Sequence, residues 1–122
     1  MDARATVVDS ELRDSLPALA RELHELYGER YRGLILYGSH ARGEADEGSD
    51  VDLLLVLAGE VRPTTEIRRT SGVVSKRALQ SGYLLAVLPV SEEQYSASAK
   101  PFLVNARRDA VPVYPDNRLA SG

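Results

Sequence analysis

The sequence predicts an α/β (α+β) fold, a small mixed β-sheet of three to four strands backed by helices. Three observations lead there. Short apolar runs at Leu34–Tyr37, Leu53–Leu57 and Tyr83–Val90 have the length and composition of buried strands. Stretches of helical spacing lie between and around them, so helices and strands alternate along the chain. The strand count is nevertheless too small for a doubly wound sheet covered on both sides. With 122 residues and 43% hydrophobic content, one compact core is expected, hence a single domain over residues 1–122.

The elements follow in order. Leu12, Leu16, Leu19, Leu23 and Leu26 recur at spacings of three and four, which marks an amphipathic helix. Pro17 is tolerated only in a first turn, so the regular part should begin near Ser15, and Gly28 is a natural stop. A strand over Arg32–Tyr37 comes next, and a second spans Val51–Leu57. Thr64 to Leu79 reads as another helix, with Pro63 near its start, Ile67, Val74 and Ala78 on its inner face, and Gly72 weakening it. Tyr83–Val90 reads as a third strand, ended by Pro89. Ser91-Glu-Glu-Gln94 is a capping box for a short helix, and Pro101 opens a last one through Phe102, Leu103 and Ala106. Val111–Tyr114 would add a short edge strand, and the tail from Pro115 is expected to fray. No repeat, linker or low-complexity segment interrupts this order.

Composition narrows the function classes. The formal net charge of −3 argues against a general nucleic-acid binder. Charge is locally uneven. Glu44, Asp46, Glu47, Asp50, Asp52 and Glu60 crowd one region, and Arg62, Arg68, Arg69, Lys76 and Arg77 the next. The absence of cysteine excludes disulfides, thiolate metal sites and a cysteine nucleophile. The first residues show no basic-then-apolar signal, and the apolar run Tyr83–Val90 is too short to span a membrane, so a soluble cytoplasmic protein is expected.

The chemistry concentrates between the first two strands. After Tyr37, Gly38 permits close backbone approach and Ser39 suits a helix N-cap, so a turn through Ala41-Arg42 would aim free N–H groups outward and attract phosphate. Ten residues after Ser39, Asp50 and Asp52 stand two apart on an extended segment. Their side chains would leave one face, about 6.6–6.8 Å apart along the strand. Two such carboxylates repel each other, and a divalent cation removes the conflict. Mg²⁺ suits them, because it takes oxygen ligands and keeps positions for water or substrate phosphates. Other phosphate and metal motifs are missing: there is no G-x-x-x-x-G-K-[ST], no G-x-G-x-x-G, and no EF-hand spacing. His40 reads as a loop residue and His24 as a surface one. Arg62, Arg69 and Lys76 recur every seven residues, which could set a basic stripe beside bound phosphate or an acceptor, though a solvated helix face is the better reading.

Gly38-Ser39-His-Ala-Arg42-Gly43, followed by Ser49-Asp50-Val-Asp52-Leu53, resembles the signature of the minimal nucleotidyltransferases, a branch of the DNA polymerase beta-like superfamily. The motif covers roughly Leu34 to Leu57. The resemblance implies a palm-like core, with Gly38, Ser39 and Arg42 at the phosphates, and Asp50 and Asp52 as the catalytic carboxylates that bind Mg²⁺. It implies ATP or another NTP as substrate and transfer of a nucleoside monophosphate to a hydroxyl acceptor. Relatives of this size commonly work with a helical HEPN protein in toxin–antitoxin pairs, which implies such a partner here.

One departure from the family pattern stands out. These enzymes carry a third carboxylate on a later strand, whereas Gly82-Tyr-Leu-Leu-Ala-Val-Leu-Pro-Val90 contains no acid, and Leu84 occupies roughly the expected place. Glu66, Glu92 and Glu93 are the nearest substitutes in sequence, though Glu92 and Glu93 fit better in a helix first turn. Two classes therefore stay open: an active nucleotidyltransferase, favoured by the intact G-S-x10-D-x-D, and a degenerate nucleotide- or partner-binding subunit, favoured by the missing acid.

Overall fold

The computed structural model describes residues 10–46 and 48–113. Its elements are helix α1 (Ser10–Tyr27), strand β1 (Tyr31–Tyr37), the single turn α2 (Ser39–Arg42), β2 (Val51–Leu57), α3 (Pro63–Ser81), β3 (Leu85–Ser91), α4 (Glu92–Ala97), α5 (Pro101–Asp109) and β4 (Val111–Pro112). The four strands form one mixed sheet in the order β3-β2-β1-β4. β1 runs antiparallel to both β2 and β4, while β2 and β3 are parallel. That parallel pair needs a crossover, and α3 supplies it. The expected mixed sheet backed by helices is the architecture found.

Strand alternation divides the core in two. Leu34 and Leu36 of β1, with Val51, Leu53, Leu55 and Leu57 of β2, pack against α1 and α3. The intervening residues Ile35, Leu54 and Val56 pack with Val90 and with Leu103 and Ala106 of α5. β2 is buried on both faces, which explains its unbroken aliphatic run.

Several expectations shift. α1 begins at Ser10, so Pro17 lies inside it and not in the first turn. An interior proline costs about 3 kcal/mol. Leu12 and Leu16, which precede it, are both buried, and each buried leucine contributes about 1.5–3 kcal/mol, enough to hold the extra turns. The last inward residue of α1 is Tyr27, not Leu26, which is largely exposed; from Leu23 the helix reaches its next inward position at four residues, not three. On α3, Ile67 faces out while Glu66 and Thr70 are buried. Pro89 lies within β3 rather than ending it, since β3 is an edge strand and tolerates a missing donor. The capping box is as expected: the Ser91 hydroxyl accepts from the Gln94 backbone N–H, and the Gln94 side chain accepts from the Ser91 N–H. β4 is limited to Val111–Pro112, and Tyr114 and the tail from Pro115 lie outside the described residues.

Candidate functional site

The end of β1 and the start of β2 are neighbours, because Tyr37 pairs with Asp52 in the antiparallel ladder. The Gly38–Gly43 turn therefore folds back against the carboxylate. Gly38 has φ 78°, and a Cβ there would stand 2.5 Å from Asp52 Oδ2. Only glycine meets both demands, the positive φ and the close approach. Gly38, and not Ser39 as its residue type suggests, is the N-cap, and Ser39 is the first helical residue. The Gly38 carbonyl accepts from the Arg42 N–H at 3.1 Å, and the Ser39 carbonyl accepts from the Glu44 N–H at 2.9 Å, closing the turn.

His40 is buried, not a loop residue. Its Nε2 lies 3.3 Å from the Ser49 carbonyl oxygen and its ring meets Tyr83 edge-on at 5.6 Å. It thus ties the Gly38–Gly43 turn to the residue just ahead of Asp50. Arg42 is held by two carboxylates, its Nε donating to Glu44 at 2.9 Å and its Nη1 to Asp109 at the end of α5, 2.7 Å away. Asp109 escapes a sequence reading, because 67 positions separate the partners and nothing local marks the pair.

Asp50 is exposed one residue before β2, and Asp52 is partly buried in it. The Asp52 carboxyl is pushed above its ordinary range, first by burial and then by the negative charge of Asp50, against the pull of His40 and Arg42. Asp46 has other work: its Oδ1 accepts from the Gly48 N–H and the Ser49 hydroxyl, both at 3.1 Å, shaping the loop that leads to Asp50.

Among the described residues no third acid joins them. In the parallel ladder Asp52 is level with Ala86, and the Leu84 carbonyl accepts from the Val51 N–H at 2.9 Å. Ala86, rather than Leu84, is thus the direct neighbour of Asp52, and both are exposed, Leu84 by 66%. Leu84 leaves the site open instead of closing it. Glu66 does not substitute, since it is buried on the α1 side at the far end of the sheet, accepting from the Tyr27 hydroxyl at 2.7 Å and pairing with Arg30 and Arg69. Glu92 and Glu93 sit in the first turn of α4, beyond the opposite end of β3. Among the described residues, no three His, Asp or Glu side chains gather as a metal cluster.

The seven-residue basic repeat is neutralised residue by residue: Arg62 pairs with Glu60, Arg69 with Glu66 and Lys76 with Glu22. His24 stacks on Tyr31 at 5.1 Å and is not a plain surface residue. A cleft of about 660 Å³ opens past the C-terminal ends of β2 and β3, lined by Gly59, Glu60, Val61 and Ser91–Gln94. It lies at the sheet end opposite Asp52, and two of its acids pair with Arg62 and Arg32. The Gly38–Asp52 corner is thus separate from this cleft.

Among the described residues no helix is long and apolar enough to cross a membrane. No curated protein matches the chain significantly. The profile of the nucleotidyltransferase domain family matches residues 16–109, from within α1 to the end of α5. With the Gly38-Ser39 turn set against Asp52 at one corner of a mixed sheet, and with that match over most of its length, the chain belongs to the nucleotidyltransferase domain family of the DNA polymerase beta-like superfamily.

Proposed function

We propose that the protein is a Mg²⁺-dependent nucleotidyltransferase that moves AMP from ATP to a hydroxyl acceptor, on a HEPN-type helical partner protein. The observation that supports this reading is the approach of Gly38 to Asp52, which brings the Gly38–Gly43 turn against the carboxylate that follows Asp50 by two residues. In this reading Gly38 lets the triphosphate close on the backbone, and the Ser39 hydroxyl and the outward N–H groups hold its terminal phosphates. Arg42, paired with Glu44 and Asp109, braces the turn. The acceptor hydroxyl attacks the α-phosphorus, its proton passes to solvent or a base, and pyrophosphate leaves.

The donor set fits a divalent ion. Asp50 and Asp52 both offer oxygen ligands; the Asp52 carboxyl is raised first by burial and then by the charge of Asp50, and a divalent ion would relieve both. Bound there, Mg²⁺ would neutralise charge developing on the phosphates.

A second reading is favoured by Ala86 and Leu84, which stand where the family's third carboxylate is expected. It describes a nucleotide- or partner-binding subunit without turnover. Incubation with Mg²⁺ and α-labelled ATP, with and without a helical protein from the adjacent reading frame, separates the two. Label on that protein supports the transferase; ATP binding with no label on any acceptor supports the degenerate subunit. At the binding step, Ser39→Ala is expected to weaken Mg²⁺·ATP by roughly 1–3 kcal/mol while adenosine binds both forms equally, read by calorimetry. Equal ATP affinity would remove Ser39 from the site.

A further inference from the structure

The sheet face that carries Asp52 is not covered up to its rim. Tyr37, level with Asp52 in the ladder, packs on this face with the cluster of Ile35, Leu54 and Leu103. Its ring meets that of Phe102 at 5.6 Å and 86°, an edge-to-face pair. Phe102 is the only phenylalanine in the chain and the first helical turn of α5 leaves it 46% exposed, although its neighbour Leu103 is buried. Exposing so large a ring costs hydrophobic burial that α5 gains elsewhere through Leu103 and Ala106. On the opposite side of the carboxylates, the corresponding surface is Leu84 and Ala86, which offer no ring.

A nucleotide whose phosphates lie at Gly38 and Ser39, with its α-phosphate at Asp50 and Asp52, must place its nucleoside within one nucleoside length of Asp52. On the sheet face that carries Asp52, the aromatic surface among the described residues in that range is the Tyr37–Phe102 pair, whereas Tyr83, which meets His40, packs with the core on the α1 side. Ring faces take any base, because every base has a π-face, and the gain is about 1–3 kcal/mol for each stacked base. An edge-to-face partner such as Tyr37 holds the plane of the Phe102 ring, and the exposure of Phe102 leaves part of that ring's surface to solvent.

The geometry points to Phe102, held by Tyr37, as the platform on which the nucleobase of the bound nucleoside triphosphate stacks. The assignment rests on the nucleotide site proposed above. Its consequence is affinity without base selection: the platform supplies no hydrogen-bond pattern, so ATP and GTP gain alike.

The test measures binding of ATP, GTP and inorganic tripolyphosphate, each with Mg²⁺, to the wild-type chain and to Phe102→Ala, Phe102→Leu and Phe102→Tyr. Wild type is expected to bind both nucleotides more tightly than tripolyphosphate. Phe102→Ala and Phe102→Leu should each weaken ATP and GTP about tenfold and leave tripolyphosphate unchanged, and Phe102→Tyr should restore nucleotide affinity. Phe102→Leu keeps apolar contact on α5, so it reads the loss of the ring even if Phe102→Ala disturbs folding. Unchanged ATP affinity in Phe102→Leu, with tripolyphosphate still bound, overturns the platform and leaves the phosphate site standing. Wild type that binds none of the three ligands overturns both. An equal loss of ATP and tripolyphosphate would make Phe102 a support of the fold and also overturn the platform.

Discussion

Asp52 concentrates the tension of the site in one carboxyl group. Burial raises its pKa most, Asp50 raises it further, and His40 and Arg42 lower it. A carboxyl raised above its unfolded value binds its proton more tightly in the folded state. Its contribution therefore favours folding at low pH and fades as pH rises from the unfolded pKa through the folded one. Replacing Asp50 removes the second cause and leaves the first. Asp50→Asn is expected to lower the Asp52 titration, seen by NMR of its carboxyl carbon, and to leave apo melting at neutral pH unchanged or higher. The same variant should lose Mg²⁺·ATP binding. A marked drop in melting temperature with nucleotide affinity intact would make Asp50 a structural residue. His40 shows how a site residue can hide: its role depends on Ser49 and Tyr83, and neither contact is written in the spacing of the motif.

Among the elements, strands were the easier to read. Unbroken aliphatic runs such as Leu53–Leu57 can only be buried, and their boundaries move by a residue or two between sequence and structure. Helix faces were harder, because a polar residue with a buried partner looks like a solvent-facing one. On α3 the inward row runs through Glu66 and Thr70, and Ile67 is left outside. Glu66 is kept inside by the Tyr27 hydroxyl, by Arg30 and by Arg69, while both arginines also lie over the Tyr27 ring. This knot joins α1 to α3 at the end of the sheet away from Asp52, so its role is in stability. Tyr27→Phe keeps the ring and its cations but deletes a hydrogen bond to a charged group. The expected loss is about 1.5–3 kcal/mol in urea unfolding, with Mg²⁺·ATP affinity unchanged. A loss of nucleotide binding without a loss of stability would place the knot in the site after all.

At the scale of the whole molecule, antiparallel pairing of β1 with β2 brings the two halves of the motif to one corner, and the parallel β3 sets a third strand alongside. The motif itself was legible because Gly38, Ser39, Asp50 and Asp52 are close in sequence; the level of β3 was not, since register across a 19-residue crossover helix depends on packing. That register decides how a third carboxylate would behave. Ala86 is level with Asp52, Leu84 lies one step toward Asp50, and both side chains are exposed. An acid at either position would stay in water and avoid the cost of burying an unpaired charge. Leu84→Asp and Ala86→Asp should therefore fold, with apo stability reduced modestly by repulsion from Asp50 and Asp52. A divalent ion should reverse that repulsion. The expected result is a larger rise in melting temperature with Mg²⁺ for each variant than for the wild type, greater for Ala86→Asp, and a gain in any AMP transfer for the same variant. Ca²⁺ serves as a comparison, because a looser oxygen-liganding ion should stabilise without supporting transfer as well. If neither variant responds to Mg²⁺ more than the wild type does, β3 does not face the metal position, and a third acid of an active complex has to come from somewhere other than this strand.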